Sequence, residues 1–460
     1  MFCWTLNLLQ PQCLAFVGAL AFVSVFLLRF LTRRRQLRNS VAFFHPYCNA
    51  GGGGERVLCD LSKRCYVYTG DNETKERIVQ LAKERFDVVV DADRVDFVRL
   101  RLRPLVEAEY YPICTLLLQT LAGFALSLEA VWRFVPEVFV DSMGYPASLV
   151  VFHYLAGAAV GAYVHYPVIS TDMLAKVESN VADFNNRPLF ANFALLRRAK
   201  LLYYRLFARF YGLLGSASQV TAVNSSWTKG HIDHLWRARS MVVYPPCNVR
   251  EFLAVENQSE SLLVAQRRAR ILSIGQFRPE KNHRLQLESL SLLLSRLKEQ
   301  RVDVDVRLVL LGSCRHEQDS KRVEDLRHYA EVLGVSDRVE FKLNTSFDEL
   351  TKELAAALIG LHTMKDEHFG IGVVEGMAAG NIMVAHDSAG PKLDIIGCHD
   401  EAVGFLSVAK EDYAETILKV LQMASEEREA VRRAARRGLD RFSDEAFERA
   451  FLECFRDLLR

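Results

Sequence analysis

The sequence DEHFGIGVVEGMAAG, residues 366–380, decides the fold of this chain. ALIGLHT (Ala357–Thr363) precedes it and IMVAHDS (Ile382–Ser388) follows it, and both are short apolar runs typical of buried strands. Between them, Ile371–Ala379 has the length and composition of a helix, and Gly380 stands where a glycine commonly ends one. The stretch therefore predicts a strand, a loop, a helix and a second strand.

Two carboxylates flank the predicted start of this helix. Glu367 lies in the loop before it, and Glu375 lies one turn inside it. Phe369, Gly370 and Ile371 stand at the helix N-terminus, where free backbone N–H groups and the helix dipole favour an anion. A diphosphate between a sugar and a ribose fits this layout, because carboxylates bind hydroxyls well. From the residues alone, two ordinary solvated glutamates remain an equal alternative.

The composition favours a globular protein with more than one domain. A length of 460 residues predicts two to three domains, and 50% hydrophobic and 25% charged residues allow large cores. A net charge of +2 does not indicate nucleic acid as a partner. The ten cysteines lack the paired spacing of a zinc site, so we expect reduced thiols in a cytosol-facing protein and no bound metal.

The N-terminus carries an apolar run with positive charge behind it. Leu14–Leu28 contains no charged residue and, extended towards Leu6, approaches the roughly 20 residues that a bilayer span needs. The charges that follow it are Arg33, Arg34, Arg35 and Arg38. Positive charge stays cytosolic, which predicts an uncleaved anchor with a lumenal N-terminus. A cleaved signal peptide is the alternative, but its charges would precede the apolar run.

The first half alternates between strand and helix patterns, which predicts a doubly wound parallel sheet. The predicted elements are strands over Val41–Cys48, Tyr66–Asp71 and Glu137–Gly144 and a helix over Lys75–Arg85. A glycine run that contains Gly53 and Gly54 follows the first strand, as in a phosphate- or sugar-binding turn. It matches neither a dinucleotide fingerprint nor a Walker loop, which disfavours a dehydrogenase.

Three further features of the first half leave two interpretations open. His165 falls at the C-terminal tip of a strand in AYVHYPVISTDML (162–174), where open α/β sheets bind ligands, although a lone histidine is usually structural. Ile113–Phe134 is apolar, and Arg197–Leu214 is basic and aromatic. Each of these two predicted helices suits either a membrane surface or a protein core, and Ile113–Phe134 could also be a second membrane span, although its charged Glu129 and Arg133 disfavour that.

The second half repeats the alternation after a break at Pro245-Pro246, which we take as the domain boundary. Gln258–Arg270 is polar and predicts an exposed loop. ILSIG (271–275) predicts a strand, and Arg278 and Lys281 lie in the loop that follows it. Cations at that end of a strand suit a diphosphate that gains charge as it leaves, whereas the alternative is two ordinary surface cations. Phe442–Arg460 predicts a final amphipathic helix.

The Glu-x7-Glu spacing with FG inside resembles the retaining nucleotide-sugar glycosyltransferases of family 4. Longer stretches resemble the dolichol-pathway α-1,2-mannosyltransferases among them: HPYCNAGGGGERVL, YVHYPVISTDML, VNSSWTKGHI, SIGQFRPEKNH and EHFGIGVVEGMAAG with AHDSAGPKLDII. They extend from His45 to Ile396, which is most of the chain. One departure is Cys59, where the family pattern has tryptophan.

The resemblance implies a GT-B fold, in which two Rossmann-like domains face a cleft. It implies GDP-mannose as donor and dolichol-diphosphate-linked Man3GlcNAc2 as acceptor, with the fourth and fifth mannoses added in sequence. It also implies an endoplasmic reticulum membrane protein with cytosolic catalytic domains, metal-independent and without a cofactor, with other early dolichol-pathway mannosyltransferases as further partners. Nucleic acid is not expected as a partner. The alternatives are a family 4 enzyme with another donor or lipid acceptor, and a catalytically silent membrane scaffold.

With this resemblance the chain divides into four expected parts. Residues 1–38 form the anchor and its basic flank, and residues 39–246 form an acceptor- and membrane-facing Rossmann-like domain. Residues 247–438 form the nucleotide-sugar domain, and residues 439–460 form a helix that crosses back to the first domain.

The resemblance also implies roles for the candidate residues. It places Glu367 at the mannose hydroxyls and Glu375 at the ribose. The cations on the diphosphate are Lys281 and Arg278, and the reacting sugar contacts His165. Backbone contacts to the donor come from Phe369, Gly370 and Ile371, and the loop near phosphate and acceptor contains Gly53 and Gly54.

Overall fold

The computed structural model describes residues 23, 26–46, 64–86, 93–173, 194–314 and 317–460. The chain divides into two compact units. The first contains the residues up to Val223, Gly230–Met241 and Phe451–Arg460, and the second contains Asn224–Lys229 and Val242–Ala450. Most of the predicted N-terminal anchor lies outside the described residues.

The first unit is built on a seven-stranded sheet with the order β3-β2-β1-β4-β5-β6-β7. Strands β1 to β6 pair in parallel, which confirms the predicted doubly wound arrangement. The strands are β1 Leu37–Phe44, β2 Arg64–Thr69, β3 Val95–Arg99, β4 Pro136–Asp141, β5 Ala159–Val164, β6 Val220–Val223 and β7 Met241–Val242. The first strand begins earlier than predicted, because Leu37 pairs with Pro136 ahead of the apolar run.

The helices of the first unit include one with a strongly apolar composition. They are α1 Lys75–Phe86, α2 Thr115–Arg133, α3 Pro146–Val150, α4 Ala194–Gly215 and α5 Ser226–Trp236, the last of which starts in the second unit. Within the described part of the chain, α2 alone is long and apolar enough to cross a membrane. One face of α2 buries Leu126 and Ala130, while Leu121 and Trp132 are exposed. Part of this helix therefore belongs to the core of its unit.

The second unit contains a six-stranded parallel sheet with the order β10-β9-β8-β11-β12-β13. The strands are β8 Arg268–Ile274, β9 Asp305–Gly312, β10 Val339–Leu343, β11 Ile359–His362, β12 Ile382–His386 and β13 Phe405–Ser407. Because side chains alternate across a sheet, Ile271 joins the core on one face of β8 and Leu272 joins the core on the other. Both faces are thus covered, as a parallel sheet requires.

Helices cover the two faces of this sheet. They are α6 Val249–Leu253, α7 Ser259–Gln266, α8 His283–Glu299, α9 Glu317–Val332, α10 Phe347–Ala356, α11 Ile371–Ala378, α12 Lys410–Gln422 and α13 Ser425–Arg437; the last helix, α14 Asp444–Leu459, begins in this unit and ends in the first. On one face α8 and α12 contribute Leu290 and Ile417 to the core. On the other face α11 and α13 contribute Val374 and Ala435. In the first unit, Phe455 of α14 stacks on Phe451, with ring centroids 4.4 Å apart.

The prediction of an exposed loop over Gln258–Arg270 is wrong. Ser259–Gln266 is the helix α7, and Arg268 already begins β8. The polar residues misled the prediction because some of them are paired inside the protein. The carboxylate of Glu260 accepts hydrogen bonds from the buried guanidinium groups of Arg428 and Arg432 on α13. These bonds attach α7 to α13 and compensate the buried charges.

Candidate active site

The predicted strand–loop–helix–strand unit is present in the second unit. Strand β11 ends at His362, the helix α11 covers Ile371–Ala378, and Gly380 adopts a left-handed conformation with φ of 86° after it. That backbone conformation is the one in which glycine commonly ends a helix. The loop from Thr363 to Gly370 therefore leaves the carboxyl end of the sheet, where open parallel sheets place their ligand sites.

The neighbouring strand β8 ends in the loop that carries the predicted cations. Residues 275–282 connect β8 to α8, and Lys281 closes a short 3-10 turn over Pro279–Lys281. The aliphatic stem of Lys281 packs over Gly275, where an added Cβ would lie 3.4 Å from the lysine Cδ. The strands β8 and β11 are paired in parallel, so the loops after them leave the same edge of the sheet.

The structure brings Lys281 and Glu367 into direct contact. The ammonium Nζ of Lys281 lies 2.6 Å from Oε2 of Glu367, and both side chains are largely buried, with 24% and 14% exposed. Burial alone raises the pKa of the Glu367 carboxyl, but the Lys281 ammonium and the hydrogen bond with His362, with a smaller contribution from His368, outweigh it and hold that pKa well below its usual range. Glu367 is therefore an ionised carboxylate held in a fixed position.

His362 is a residue of this site that the sequence reasoning missed. Its Nε2 lies 3.1 Å from Oε2 of Glu367, the same oxygen that Lys281 contacts. The hydroxyl of the buried Tyr413 donates to the backbone carbonyl of His362 at 3.1 Å. A signal existed in the sequence, because a histidine ends an otherwise apolar strand immediately before the glutamate loop.

Residues that follow β12 hold the loop that carries Glu367. The hydroxyl of Ser388 accepts the N–H of Asp366 at 2.8 Å, and the N–H of Gly390 donates to the carbonyl of Glu367 at 2.9 Å. Gly390 has no room for a side chain, since an added Cβ would lie 2.2 Å from the carbonyl oxygen of Phe369. The backbone of the loop is thus held on both sides of the carboxylate.

The start of α11 combines a buried anchor with an open backbone. Phe369 is buried, and its ring lies 5.3 Å from that of Phe442. Gly370 has φ of 110°, which glycine adopts without strain. An added Cβ at Gly372 would meet nothing within 4 Å. Such a helix start suits an anion, and half-buried Glu375 lies one turn further along.

The other residues predicted for the site are placed separately. The side chain of Arg278 is exposed, while its backbone carbonyl accepts the N–H of Lys281 at 3.2 Å. His165 follows β5 in the first unit, at the predicted strand tip, and its ring meets that of Tyr163 edge-on at 4.7 Å. Gly53 and Gly54 lie outside the described residues.

A second histidine accompanies His165 in the first unit. His45 follows β1 and is buried, and its Nδ1 lies 2.9 Å from the hydroxyl of Ser142 after β4. Burial, together with the charge of His165, lowers the pKa of His45 to about 3. His45 is therefore neutral at physiological pH and can exchange one hydrogen bond with the serine.

A short segment from the end of the first half belongs to the second unit and contacts the loop from Thr363 to Gly370, which carries Glu367. Residues 224–229 lie in that unit, and the indole of Trp227 stacks on the ring of His368 with centroids 5.4 Å apart. The N–H of Ser226 donates to the carboxylate of Asp394 at 3.0 Å. Within the described residues, no group of three or more His, Cys, Asp or Glu side chains could hold a metal ion.

Sequence comparisons connect both halves of the chain to known proteins. Residues 38–236 match the family model described as ALG11 mannosyltransferase N-terminus, and residues 254–438 match the model described as Glycosyl transferases group 1. A GDP-Man:Man(3)GlcNAc(2)-PP-Dol alpha-1,2-mannosyltransferase of Caenorhabditis elegans is 48% identical over 90% of this chain and 90% of its own length. The protein with the same name from Homo sapiens is 48% identical, over 91% of this chain and 87% of its own length.

Solved structures show the same fold at low sequence identity. A sucrose-phosphate synthase from Thermosynechococcus elongatus superposes with a TM-score of 0.64 and 17% identity, covering 92% of this chain and 99% of that chain. Anabaena Alr3699/HepE, solved in complex with UDP and glucose, superposes with a TM-score of 0.58 and 13% identity, covering 90% and 99%. Together with the two parallel sheets, these similarities confirm the GT-B fold class.

Proposed function

Since this chain belongs to the family of the GDP-Man:Man(3)GlcNAc(2)-PP-Dol alpha-1,2-mannosyltransferases, we infer that it is an α-1,2-mannosyltransferase that uses GDP-mannose. Its acceptor is dolichol-diphosphate-linked Man3GlcNAc2, to which it adds the fourth and fifth mannoses in sequence. The observation in the chain that carries the inference is the contact between Lys281 and Glu367, which sets a cation and a carboxylate side by side beyond β8 and β11.

In this proposal the donor binds at the carboxyl edge of the second sheet. Its diphosphate lies at the start of α11, against the backbone of Phe369–Ile371, where the N–H groups and the helix dipole attract negative charge. Lys281 and Arg278 supply the positive charges. Glu367 binds the mannose hydroxyls, and Glu375 binds the ribose hydroxyls.

Transfer proceeds with retention of configuration at the mannose C1. The bond between C1 and the diphosphate oxygen breaks, and the C2 hydroxyl of the acceptor mannose attacks from the same face. The proton of that hydroxyl passes to the departing phosphate oxygen, and GDP leaves. Lys281 and the start of α11 stabilise the charge that the diphosphate gains, which is the usual source of a large rate enhancement.

This mechanism needs no nucleophile from the enzyme. The carboxylate of Glu367 already contacts the Lys281 ammonium at 2.6 Å, which favours a role in binding over attack on C1. A double displacement would form a mannosyl ester on Glu367. Mass spectrometry after reaction with a 2-fluoro-mannosyl donor tests this point, and an adduct on Glu367 would contradict the same-face mechanism.

We assign the remaining roles to the first unit. His165 contacts the reacting mannose, an assignment that its position at the end of β5 supports. The glycine loop that contains Gly53 and Gly54 binds phosphate and acceptor. The reaction is independent of metal ions and cofactors.

The proposed location is the endoplasmic reticulum membrane, with the catalytic units on its cytosolic face. The support is the apolar run Leu14–Leu28 with arginines behind it, and the lipid-linked acceptor in the names of the relatives. Lipids of that membrane contact the first unit. Other early dolichol-pathway mannosyltransferases are further proposed partners.

A transfer assay with a defined lipid acceptor tests the function. Purified protein in detergent is incubated with labelled GDP-mannose and trimannosyl lipid-linked acceptor, and the released glycan is sized and digested with an α-1,2-mannosidase. We expect a gain of two hexoses, both of which the mannosidase removes.

The same assay distinguishes the alternatives. Transfer from a UDP-sugar in preference to GDP-mannose would indicate another family 4 enzyme. Absence of transfer from every donor, by a folded preparation, would indicate a silent scaffold.

A further inference from the structure

Thr363 connects the two strand ends that carry the proposed donor site. It is the first residue after β11, and 1% of it is exposed. Its hydroxyl donates to the backbone carbonyl of Lys281 at 2.9 Å. The backbone carbonyl of Asn282 is a second, longer acceptor, 3.3 Å from the same hydroxyl oxygen. One side chain from the loop over residues 363–370 therefore holds the main chain of the loop over residues 275–282.

A second buried group fixes the direction of this hydroxyl. The amide Nε2 of Gln286, on the first turn of α8, donates to Oγ1 of Thr363 at 2.8 Å. Gln286 is 2% exposed. A hydroxyl has one hydrogen to donate, and because its oxygen already accepts from Gln286, the hydrogen points towards the Lys281 carbonyl. The three groups form a directed chain from α8 to the lysine.

The lysine backbone at this point needs such support. Asn282 follows Lys281 with φ of 51°, in the left-handed region, and joins the 3-10 turn to α8. The side chain of Lys281 is held at its far end by Glu367 at 2.6 Å and at its stem by Gly275. The hydrogen bond from Thr363 fixes the remaining point, which is the backbone from which the side chain starts.

We propose that Thr363 is a positioning residue for the transfer reaction, which acts by holding the Lys281 backbone through a hydroxyl that Gln286 directs. This proposal rests on the proposed function, in which the Lys281 ammonium stabilises the departing diphosphate. A displacement of about 1 Å at a charged group in an active site can lower the rate by roughly 100-fold. A purely structural hydrogen bond would change stability and leave the placement of the ammonium unaffected.

Two substitutions separate the hydroxyl from the shape of the side chain. Thr363→Val removes the hydroxyl and keeps the branched shape, whereas Thr363→Ser keeps the hydroxyl. We expect Thr363→Val to lower kcat with GDP-mannose at least tenfold, with less than a threefold change in KM for the lipid acceptor. Thr363→Ser should retain at least a third of kcat. Thr351→Val is the matched control, because the Thr351 hydroxyl bonds within α10 at Phe347.

A spectroscopic measurement reports the position of the lysine without relying on turnover. Reductive ¹³C-methylation gives Lys281 a methyl resonance, which is identified by its absence in Lys281→Met. We expect Thr363→Val to shift this resonance and Thr363→Ser to leave it in place. If Thr363→Val does not fold, Gln286→Met takes its place, and it should shift the same resonance.

The outcomes divide clearly between the two proposals. An unshifted resonance in Thr363→Val, or equal losses of kcat in the valine and serine variants, would overturn the role of Thr363. Wild-type protein that transfers no mannose would contradict the proposed function, while the resonance would still decide whether Thr363 positions Lys281.

Discussion

The contact between Lys281 and Glu367 predicts that loss of the lysine destabilises the protein as well as inactivating it. Lys281→Met removes the ammonium and keeps most of the aliphatic stem that packs over Gly275. The Glu367 side chain, which is 14% exposed in the wild-type protein, then loses its ammonium partner and keeps the ring of His362, whose Nε2 lies 3.1 Å from Oε2. A buried carboxylate without its cation is costly, because it has lost most of its hydration.

The size of the effect follows from the exposure of the pair. Breaking a fully buried ion pair costs about 3–5 kcal/mol, and an exposed pair contributes about 0–1 kcal/mol. The Lys281 side chain is 24% exposed and that of Glu367 is 14% exposed, so we expect about 2–3 kcal/mol. For a unit of this size that corresponds to a fall in Tm of roughly 4–12 °C.

The same substitution should reduce turnover by more than the loss of stability explains. Removing one fixed donor from the charge that develops in a transition state lowers kcat by about 100- to 1,000-fold. Differential scanning fluorimetry measures the loss of stability, and the mannose-transfer assay, run well below the lowered Tm, measures kcat. Near-normal turnover would remove Lys281 from the reaction.

The double variant Lys281→Met/Glu367→Gln is the matched control. It removes both charges, so no unpaired carboxylate stays buried, and we expect it to recover most of the Tm lost in Lys281→Met. Its activity should stay low, because neither group is available to the donor. A double variant that is no more stable than the single variant would refute the electrostatic explanation.

The pH dependence of stability gives the same pair an independent test. The folded-state pKa of Glu367 is lowered, so its stabilising contribution is fully present above the pKa of an unfolded glutamate, about 4.3, and is lost as the pH falls through the lower folded value. The difference in Tm between wild type and Glu367→Gln should therefore be constant near neutral pH and shrink below about pH 4. A difference that grows on acidification would contradict this sign.

Three further substitutions affect activity and stability to different extents. Arg278→Ala should lower kcat about tenfold with a change in Tm below about 2 °C, because this side chain is exposed; transfer and melting assays measure both. Gly390→Ala should lower Tm and kcat together, since its Cβ would lie 2.2 Å from the Phe369 carbonyl; an unaffected melting curve would show that the loop can move. Glu260→Gln should lower Tm at pH 7, because the buried guanidinium of Arg428 loses the carboxylate that compensates its charge. The pKa of Glu260 is lowered to about 2, so this difference should vanish as the pH falls from about 4.3 towards 2 in a melting series.

Elements with a continuous apolar pattern were predictable from the sequence. The strands around residues 366–380 and the helix between them were placed correctly, because burial on both faces of a parallel sheet produces uninterrupted apolar runs. Val95–Arg99 and Val339–Leu343 were missed. Both are edge strands with half-buried, partly charged residues, so they lack such a run.

Charged residues whose partners are distant in sequence could not be interpreted from sequence alone. Glu260 lies 168 residues from Arg428 in the sequence, and without knowledge of that partner the sequence of α7 predicts a polar loop. Similarly, the sequence predicted Lys281 and Glu367 as separate ligands of a donor, whereas they contact each other across 86 residues. Pairing between distant charges depends on strand order, which periodicity does not contain.

If Lys281 and Glu367 bind the donor as proposed, their contact gives the site a property that two separate ligands would not have. With no donor bound, the Lys281 ammonium already has a counter-charge in Glu367, so a diphosphate must compete with the carboxylate for it. Glu367 in turn gains freedom to accept hydrogen bonds from sugar hydroxyls when the ammonium turns towards the phosphate. A diphosphate without a sugar would draw the ammonium away and offer that largely buried carboxylate no hydroxyl in its place. On the proposed roles of the two residues, the pair should therefore favour a complete nucleotide sugar over a free nucleoside diphosphate, which would help the product GDP to leave.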